Sequence, residues 1–571
     1  MAEQDLDKFD NPASEKQGPS MEKRLLLAFI LMAGVLFLTP YIYKPSEPVK
    51  KAQPVTPPAR TQTVEQVQTP APAAALALAG RVSASQENRV VVETDLYRVE
   101  FSNRGAVVRS WVLKKYKDSA GKPLELVSQA GAAKAGFPFS FEYPGGKAPA
   151  DLKNALFAPT VSGDGLDISF EHSDGRVAAR KSFRFQKSKY LTELTSEVIA
   201  DGRPVPHVLT WRGGFGDSSV PNHPAALHSL YFDVASNKLV VQQAKAAKNG
   251  PVSSVGGYSF AGIEDSYFAA VFLPAGETAV EVRTYSDQVS PAEGAAETPH
   301  LGAGVGGSGE NHFSVFVGPK DVAILRSVNP KLEQVVDFGW FSIIAKPLFL
   351  SLNYVNNRWV HSYGWSIVVV TVIINFLLLP LKFTSLKSMK KMQLLQPQIA
   401  AINEKYKGIS LRDPRKSEQN QEIMDLYKKH GVNPMGGCMP MLLQIPFFFA
   451  YYKVLTVAIE LRGAEWLWVS DLSQPETIPI RILPIAMIVT QFIMQKMTPT
   501  TTADPMQQRM MLMMPLFLGF MFYGMSSGLV LYWLTGNVVG IAQQWFFNRR
   551  VVALPAPVEA PKSKSKKTAR T

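Results

Sequence analysis

From Met510 to Phe547 the chain runs for 38 residues without an Asp, Glu, Lys or Arg. As one helix at ~1.5 Å per residue this run would be about 57 Å long, nearly twice a ~30 Å hydrocarbon core. It must therefore form two spans, and Gly524-Met525-Ser526-Ser527-Gly528 is the turn between them. Other windows repeat the pattern. Leu25 to Tyr43 carries no charge and follows Glu22-Lys23-Arg24. The bulky Tyr41-Ile42-Tyr43-Lys44-Pro45 after it is a poor cleavage site, so an uncleaved anchor is expected there. Gly364–Leu381, Pro440–Ile459 (broken only by Lys453) and Ile482–Gln495 complete the set. The expected fold is a membrane protein, a six-span α-helical bundle made of an N-terminal anchor and a five-helix core.

Charge sets the orientation. Charged residues are 19% of the chain, below the ~25% of soluble domains, because these windows hold almost none. Lys+Arg exceed Asp+Glu by 60 to 47, and the excess is local. The 382–433 segment holds eleven lysines and arginines, from Lys382 to Lys429, and the tail holds Arg549, Arg550, Lys562, Lys564, Lys566, Lys567 and Arg570. The loop between the third and fourth spans has Arg462 against Glu460, Glu465, Asp471 and Glu476, with Trp466 and Trp468 suited to an interface. By the positive-inside rule both basic segments lie in the cytoplasm and the acidic loop outside. Six spans then put both termini inside, and the basic excess needs no nucleic-acid surface to explain it. Cys438 is the single cysteine, which excludes a disulfide framework.

The organisation follows. Residues 1–24 form a cytoplasmic N-terminus, 25–43 the anchor, and 44–84 a Pro/Ala-rich linker unable to build a core. Residues 85–325 change character: Leu96–Phe101, Phe183-Arg184-Phe185 and Tyr190–Thr195 alternate or are β-rich between Gly, Asn, Asp and Pro clusters, the pattern of an antiparallel β-sandwich. Residues 338–363 read as an amphipathic helix in the outer interface, with Trp340, Phe341, Ile344, Leu348, Leu352 and Val355 opposite Lys346 and Arg358. The core is 364–547, with spans at about 364–381, 440–459, 480–497, 508–524 and 528–547, a cytoplasmic helical hairpin at 382–433, and a basic tail at 548–571.

No metal-ligand spacing, P-loop lysine or nucleophile–base set appears, so no cofactor, metal or catalytic residue is expected. The informative residues are polar ones within spans: Thr371 and Asn375 in the second, Gln444 in the third, Thr490 in the fourth, and Tyr532, Trp533, Asn537 and Gln543 in the sixth. Each alone is ordinary interhelical hydrogen-bond glue. Together they suggest a polar concavity toward the inner half of the bilayer. Met510–Tyr523 is only 14 residues, about 21 Å, and Ile482–Gln495 is as short, so local thinning of the bilayer is expected. A thin bilayer with a polar pocket lowers the cost of moving a hydrophilic segment across. A small-solute transporter or an envelope scaffold is the alternative, but no repeat relates the spans, as a transporter would favour.

Several motifs, in order, resemble one family. Asn433-Pro434-Met435-Gly436-Gly437-Cys438-Met439-Pro440 with Gln444-Ile445-Pro446 is similar to the start of the third span in the YidC/Oxa1/Alb3 membrane insertases. Gln495-Lys496-Met497-Thr498-Pro499 and Asp504-Pro505-Met506-Gln507-Gln508 look like that family's second cytoplasmic loop, and Ser527–Trp533 like its sixth span. Val317-Gly318-Pro319, Asp337–Trp340 and Pro347-Leu348 match its domain-to-span junction. The large external domain points to the Gram-negative subtype. The resemblance implies a β-supersandwich in the periplasm and a location in the bacterial inner membrane. It implies an insertase and chaperone, not an enzyme, that inserts, folds and assembles inner-membrane proteins through a groove open to cytoplasm and lipid. Implied partners are nascent membrane proteins, the Sec translocon and its accessory subunits, the ribosome via the basic tail and cytoplasmic loops, and the phospholipid bilayer. The family usually carries a cation in the groove on the second span. Aligned through Pro380-Leu381, that position is Asn375, and no Lys or Arg lies between Gly364 and Leu381. The groove is therefore expected to be uncharged and to work by hydration.

Overall fold

The computed structural model describes residues 80–219, 228–276, 279–289, 297–409, 413–432, 439–498 and 505–550, with side chains left aside at 439–443, 505–511 and 550. The anchor at 25–43, most of the 44–84 linker and the tail beyond Arg550 lie outside the described residues.

The first half is antiparallel β structure. Arg89–Glu93, Tyr97–Ser102, Val107–Lys117 and Pro123–Glu125 form a meander of four strands. A ten-stranded sheet centres on Phe268–Pro274, Glu310–Pro319, Leu191–Ala200 and Val177–Phe185. A five-stranded sheet runs Val252–Gly256, Val280–Val289, Thr298–Gly306, Val208–Trp211 and Ser140–Glu142. Alternation drives the burial: in Val177–Phe185, Phe183 and Phe185 point inward while Arg184 faces water. The inner faces meet in an aromatic core. Trp211 contacts Phe139, Phe215 and Trp111 at ring distances of 5.9, 5.1 and 6.4 Å. Lys181 is buried there, its ammonium donating to the carbonyls of Gly105, Ala106 and Phe139 at 2.7–3.0 Å. Three acceptors satisfy all three of its donors.

Two short helices, α1 (Gln129–Ala135) and α2 (Val322–Val328), belong to this half; Asp321 caps α2 by accepting from the Ala323 and Ile324 amides. The second half is helical. Its elements are α3 (Ser342–Val355), α4 (Tyr363–Leu377), α5 (Leu379–Lys405), α6 (Arg415–Lys429), α7 (Met439–Val457), α8 (Ile482–Met497), α9 (Pro505–Phe522) and α10 (Ser527–Arg550). The chain turns by 116° between the α3 segment and α4, at His361 in the left-handed conformation. Helix α3 is apolar on more than one face. Ala345, Leu348, Phe349, Leu352 and Val355 are buried, yet Ile343, Leu350, Tyr354 and the flanking Trp340 and Trp359 are exposed. Trp340 and Ile343 thus lie outside the set packed into the protein core. Helices α5 and α6 pack through Met392, Leu395, Ile399 and Tyr427.

Among the described residues, no single helix is long and apolar enough to cross a membrane by itself. The bent α3–α4 pair passes jointly, and Ile482–Met497 and Leu512–Phe522 are shorter apolar helices. Lys453 interrupts α7, and polar side chains run along α10. Helix α8 has 16 residues, about 24 Å, and α9 has 18, about 27 Å. Helix α9 therefore extends four residues past Arg509, toward Pro505, and comes closer to a ~30 Å core than its charge-free stretch implied.

The two halves share one continuous core. Phe338 packs on Phe349 at 5.4 Å and Phe341 stacks on Phe449 at 6.0 Å. Lys453 pairs with Asp337 at 3.0 Å, and Arg462 pairs with Asp217 where both side chains are almost fully buried. The loop between α7 and α8 is tied down as well. Glu476 accepts from Trp468 Nε1 at 2.5 Å and from the Leu483 amide at 3.0 Å, which caps α8. The start of α10 donates to the same loop, from the Ser527 and Gly528 amides to the carbonyls of Gln474 and Leu472, at 2.8 Å each. Gly364 lets Trp466 lie against the α4 backbone; a Cβ there would sit 2.2 Å from the indole.

Candidate functional site: a polar depression between α4, α5, α7 and α10

Helix α4 is hydrophobic, so its few polar groups must satisfy one another. Thr371 Oγ1 donates to the Ile367 carbonyl at 2.6 Å, and Asn375 Nδ2 donates to the Thr371 carbonyl at 2.8 Å. With its NH₂ so engaged, Asn375 turns its Oδ1 away from its own helix. That oxygen accepts from Lys382 Nζ at 2.6 Å. Lys382 sits seven residues on, past the Leu378 break between α4 and α5, about 10.5 Å along the axis. Helical Cβ atoms lean toward the N-terminus, which aims this side chain back along the helix at Asn375. Gln543 of α10 closes the cluster: its Nε2 donates to the Asn375 carbonyl at 3.3 Å and its Oε1 lies 3.4 Å from Lys382 Nζ. The Asn375, Lys382, Gln444 and Tyr532 side chains line a cavity of about 20 Å³ together with Ile374, Leu378, Leu381 and Phe447. That is room for about one water molecule. Tyr532 stacks on Tyr451 at 4.2 Å and 14°, which fixes the inner wall.

The other predicted residues lie elsewhere. Thr490 Oγ1 donates to its own helix, to the Ala486 carbonyl at 2.8 Å, and accepts from Asn537 Nδ2 at 3.3 Å. Trp533 Nε1 donates to Gln491 Oε1 at 3.2 Å, and its ring packs on Phe448 and Phe522. These three form an α8–α10 seam and do not line the cavity. Of the eight residues, Asn375, Gln444 and Tyr532 line the depression, Gln543 and Thr371 support it, and Thr490, Trp533 and Asn537 hold helices together.

Lys382 places an ammonium beside Asn375 at this depression, a charge that the reading of 364–381 alone did not expect there. Counted from sequence, it is one more cytoplasmic lysine of the positive-inside set. Its reach back to Asn375 could have been found from the i, i+7 spacing, which places both on one helical face.

Comparison with known proteins gives the family. Residues 355–553 match the family described as 60Kd inner membrane protein, and residues 89–351 match the YidC periplasmic domain. The membrane protein insertase YidC of Geotalea uraniireducens is 35% identical over 551 residues, covering 93% of this chain and 99% of that protein. The YidC of Geobacter sulfurreducens is likewise 35% identical, over 554 residues and the same shares of both chains. A crystal structure of an active YidC insertase with its first transmembrane domain resolved aligns over 81% of this chain and 94% of that one, at 18% identity and a TM-score of 0.35. The assignment rests on the sequence relatives, which span almost the full length. This chain belongs to the YidC family of membrane protein insertases.

Proposed function

We propose that this chain inserts membrane proteins by passing their hydrophilic segments along the depression between α4, α5, α7 and α10. One observation carries the reading: Asn375, Lys382 and Gln444, from three separate helices, gather with Tyr532 of a fourth around one small cavity. A polypeptide entering hydrocarbon leaves each unsatisfied backbone group short by several kcal/mol. Side-chain amides at the groove offer both donors and acceptors to such a segment. The apolar stretch that follows then leaves sideways into lipid, driven by its own transfer free energy, so no nucleotide need be spent. Exposed apolar side chains on α4, such as Ile373 and Leu377, offer that lipid-facing exit.

Six spans are proposed, with both termini cytoplasmic, residues 45–363 periplasmic, and α5–α6 as the cytoplasmic hairpin that receives substrate. The Sec translocon and the ribosome are proposed partners, the latter through the basic tail, whose binding to RNA would fall steeply with salt. Depletion of the protein tests the function: membrane integration of a small phage-coat-like substrate should fail while solute uptake persists. Normal integration with lost uptake would instead support a transporter.

A further inference from the structure

We propose that Glu460 is a proton-operated latch at the junction of the two halves: neutral, it keeps α3 closed on α7, and ionised, it lets α3 swing away about the elbow at His361. The latch is independent of the path that substrate takes.

Several elements meet at this carboxyl. Glu460 lies in the short turn Ile459–Leu461 that follows α7. Asn353 of α3 hydrogen-bonds the Glu460 carboxyl, and its own Oδ1 accepts from the Tyr363 hydroxyl, at the start of α4, at 3.2 Å. The β domain faces Glu460 with Asp321, the cap of α2, and with Tyr116 of the Val107–Lys117 strand; Tyr190 lies beside both. Arg462, two residues on, is committed to Asp217. Glu460 Oε2 is buried with no hydrogen-bond partner, and among the described residues no cation pairs with this carboxylate. A neutral carboxyl suits such a place; an ionised one loses its hydration and gains no opposite charge. Burial pushes the carboxyl up from 4.5 to about 7, and the Asp321 carboxylate adds to the rise. The Tyr116 and Tyr190 phenols, also raised by burial, stay neutral through that range.

The hinge lies alongside. Helix α3 runs into a π-helical turn, Asn356–Val360, then His361 at a φ of 56°, and the chain bends by 116° into α4. A π turn and a left-handed residue with a side chain both hold strain that a change of direction releases. Apolar contacts such as Phe341 on Phe449 hold α3 closed, and the buried charge opposes them. The closed form binds the proton more tightly than the open one. Closure is therefore firmest below pH 4.5, weakens between 4.5 and about 7, and is weakest above that.

The test uses the full chain in lipid nanodiscs, with Cys438 replaced and nitroxides at the exposed Ser351 of α3 and Glu465 of the α7–α8 loop. Dipolar distance measurements should show one population at pH 5 and a second, longer one at pH 8. The longer population should grow roughly tenfold, since a carboxyl titrating near 7 when closed and 4.5 when open allows more than that. Glu460→Gln should stay closed at both pH values. Asp321→Asn keeps a good helix cap and removes the like charge, so it should open less than wild type at pH 8. A wild type without the second population would overturn the latch. Opening of Glu460→Gln at pH 8 would overturn it too, and hand the response to another group such as His361. Should Glu460→Gln fail to fold, Asp321→Asn decides alone, and opening as far as wild type would count against the latch.

Discussion

Asn375 and Lys382 show what a single residue position can hide. Reading 364–381 as a span correctly finds no cation in it, and the amide at Asn375 was visible as a polar group in an apolar run. The window alone hides a side chain outside it that reaches back in, since span boundaries are drawn on backbone positions and lysine is long; only the i, i+7 spacing of Asn375 and Lys382 hinted at the contact. The opposite error affects Thr490 and Asn537. Their chemistry looks the same as that of Asn375, but they satisfy each other across a helix seam. Asn537→Leu should therefore cost about 0.5–1.5 kcal/mol of thermal stability, in the range of interhelical hydrogen bonds. It should leave membrane integration of the phage-coat-like substrate where it was; a loss of integration in a variant that still folds would move the seam into the groove. In the β domain, His207 is a second residue with a defined consequence. It donates from Nδ1 to the Val205 carbonyl at 3.0 Å and accepts at Nε2 from Asn311 at 3.0 Å, in full burial. Desolvation lowers its pKa from 6.5 to about 4. The unfolded chain thus takes up the proton first, so stability is whole above pH 6.5 and declines as pH falls toward 4, by at most about 3 kcal/mol. Thermal melts at pH 7 and pH 4.5 should show this loss in the wild type and a smaller one in His207→Gln; equal losses would contradict it.

At the scale of elements, alternation and charge were the legible signals. Phe183-Arg184-Phe185 and all of the Tyr190–Thr195 stretch but Tyr190 lie in two paired central strands, Val177–Phe185 and Leu191–Ala200, because period-2 patterning has one structural solution when one face is buried. Sheet order was not legible, since pairing such as Phe268–Pro274 with Glu310–Pro319 depends on contacts distant in sequence. Helix α3 was only half legible. A one-sided amphipathic helix was expected, and the structure gives one with apolar residues buried against α7 and others left outside. The outer set, including Ile343 at 84% exposure, suits the bilayer interface, where aromatic and aliphatic groups lie among headgroups. With Cys438 replaced, a fluorescent label on a cysteine placed at Ile343 or at Leu350 should be quenched by lipids brominated near the headgroup end of their acyl chains. No quenching at either position would argue that α3 does not touch lipid.

For the whole molecule, the β domain and the helical half behave as one body at their junction. Arg462 reaches from the loop between α7 and α8 into the β domain and pairs with Asp217 in near-complete burial, with its guanidinium 5.4 Å over the Phe268 ring. Close packing explains the glycine-rich approach: a Cβ at Gly216 would strike the Asp265 carboxylate at 1.9 Å. Removing one partner of a buried pair strands the other, which costs about 3–5 kcal/mol. Arg462→Ala should thus loosen the junction and expose it to protease, and the double variant with Asp217→Ala should recover most of the loss. Equal damage in single and double variants would show that the ion pair does not couple the halves. The central claim is that substrate passes the depression at Asn375, Lys382 and Gln444 and not the seam at Thr490. Site-specific photo-crosslinkers at Gln444 and at Thr490, used with ribosome-stalled nascent membrane proteins, test it directly. Strong adducts from Gln444 with few from Thr490 are the predicted result; adducts from Thr490 that equal or exceed those from Gln444 would contradict it.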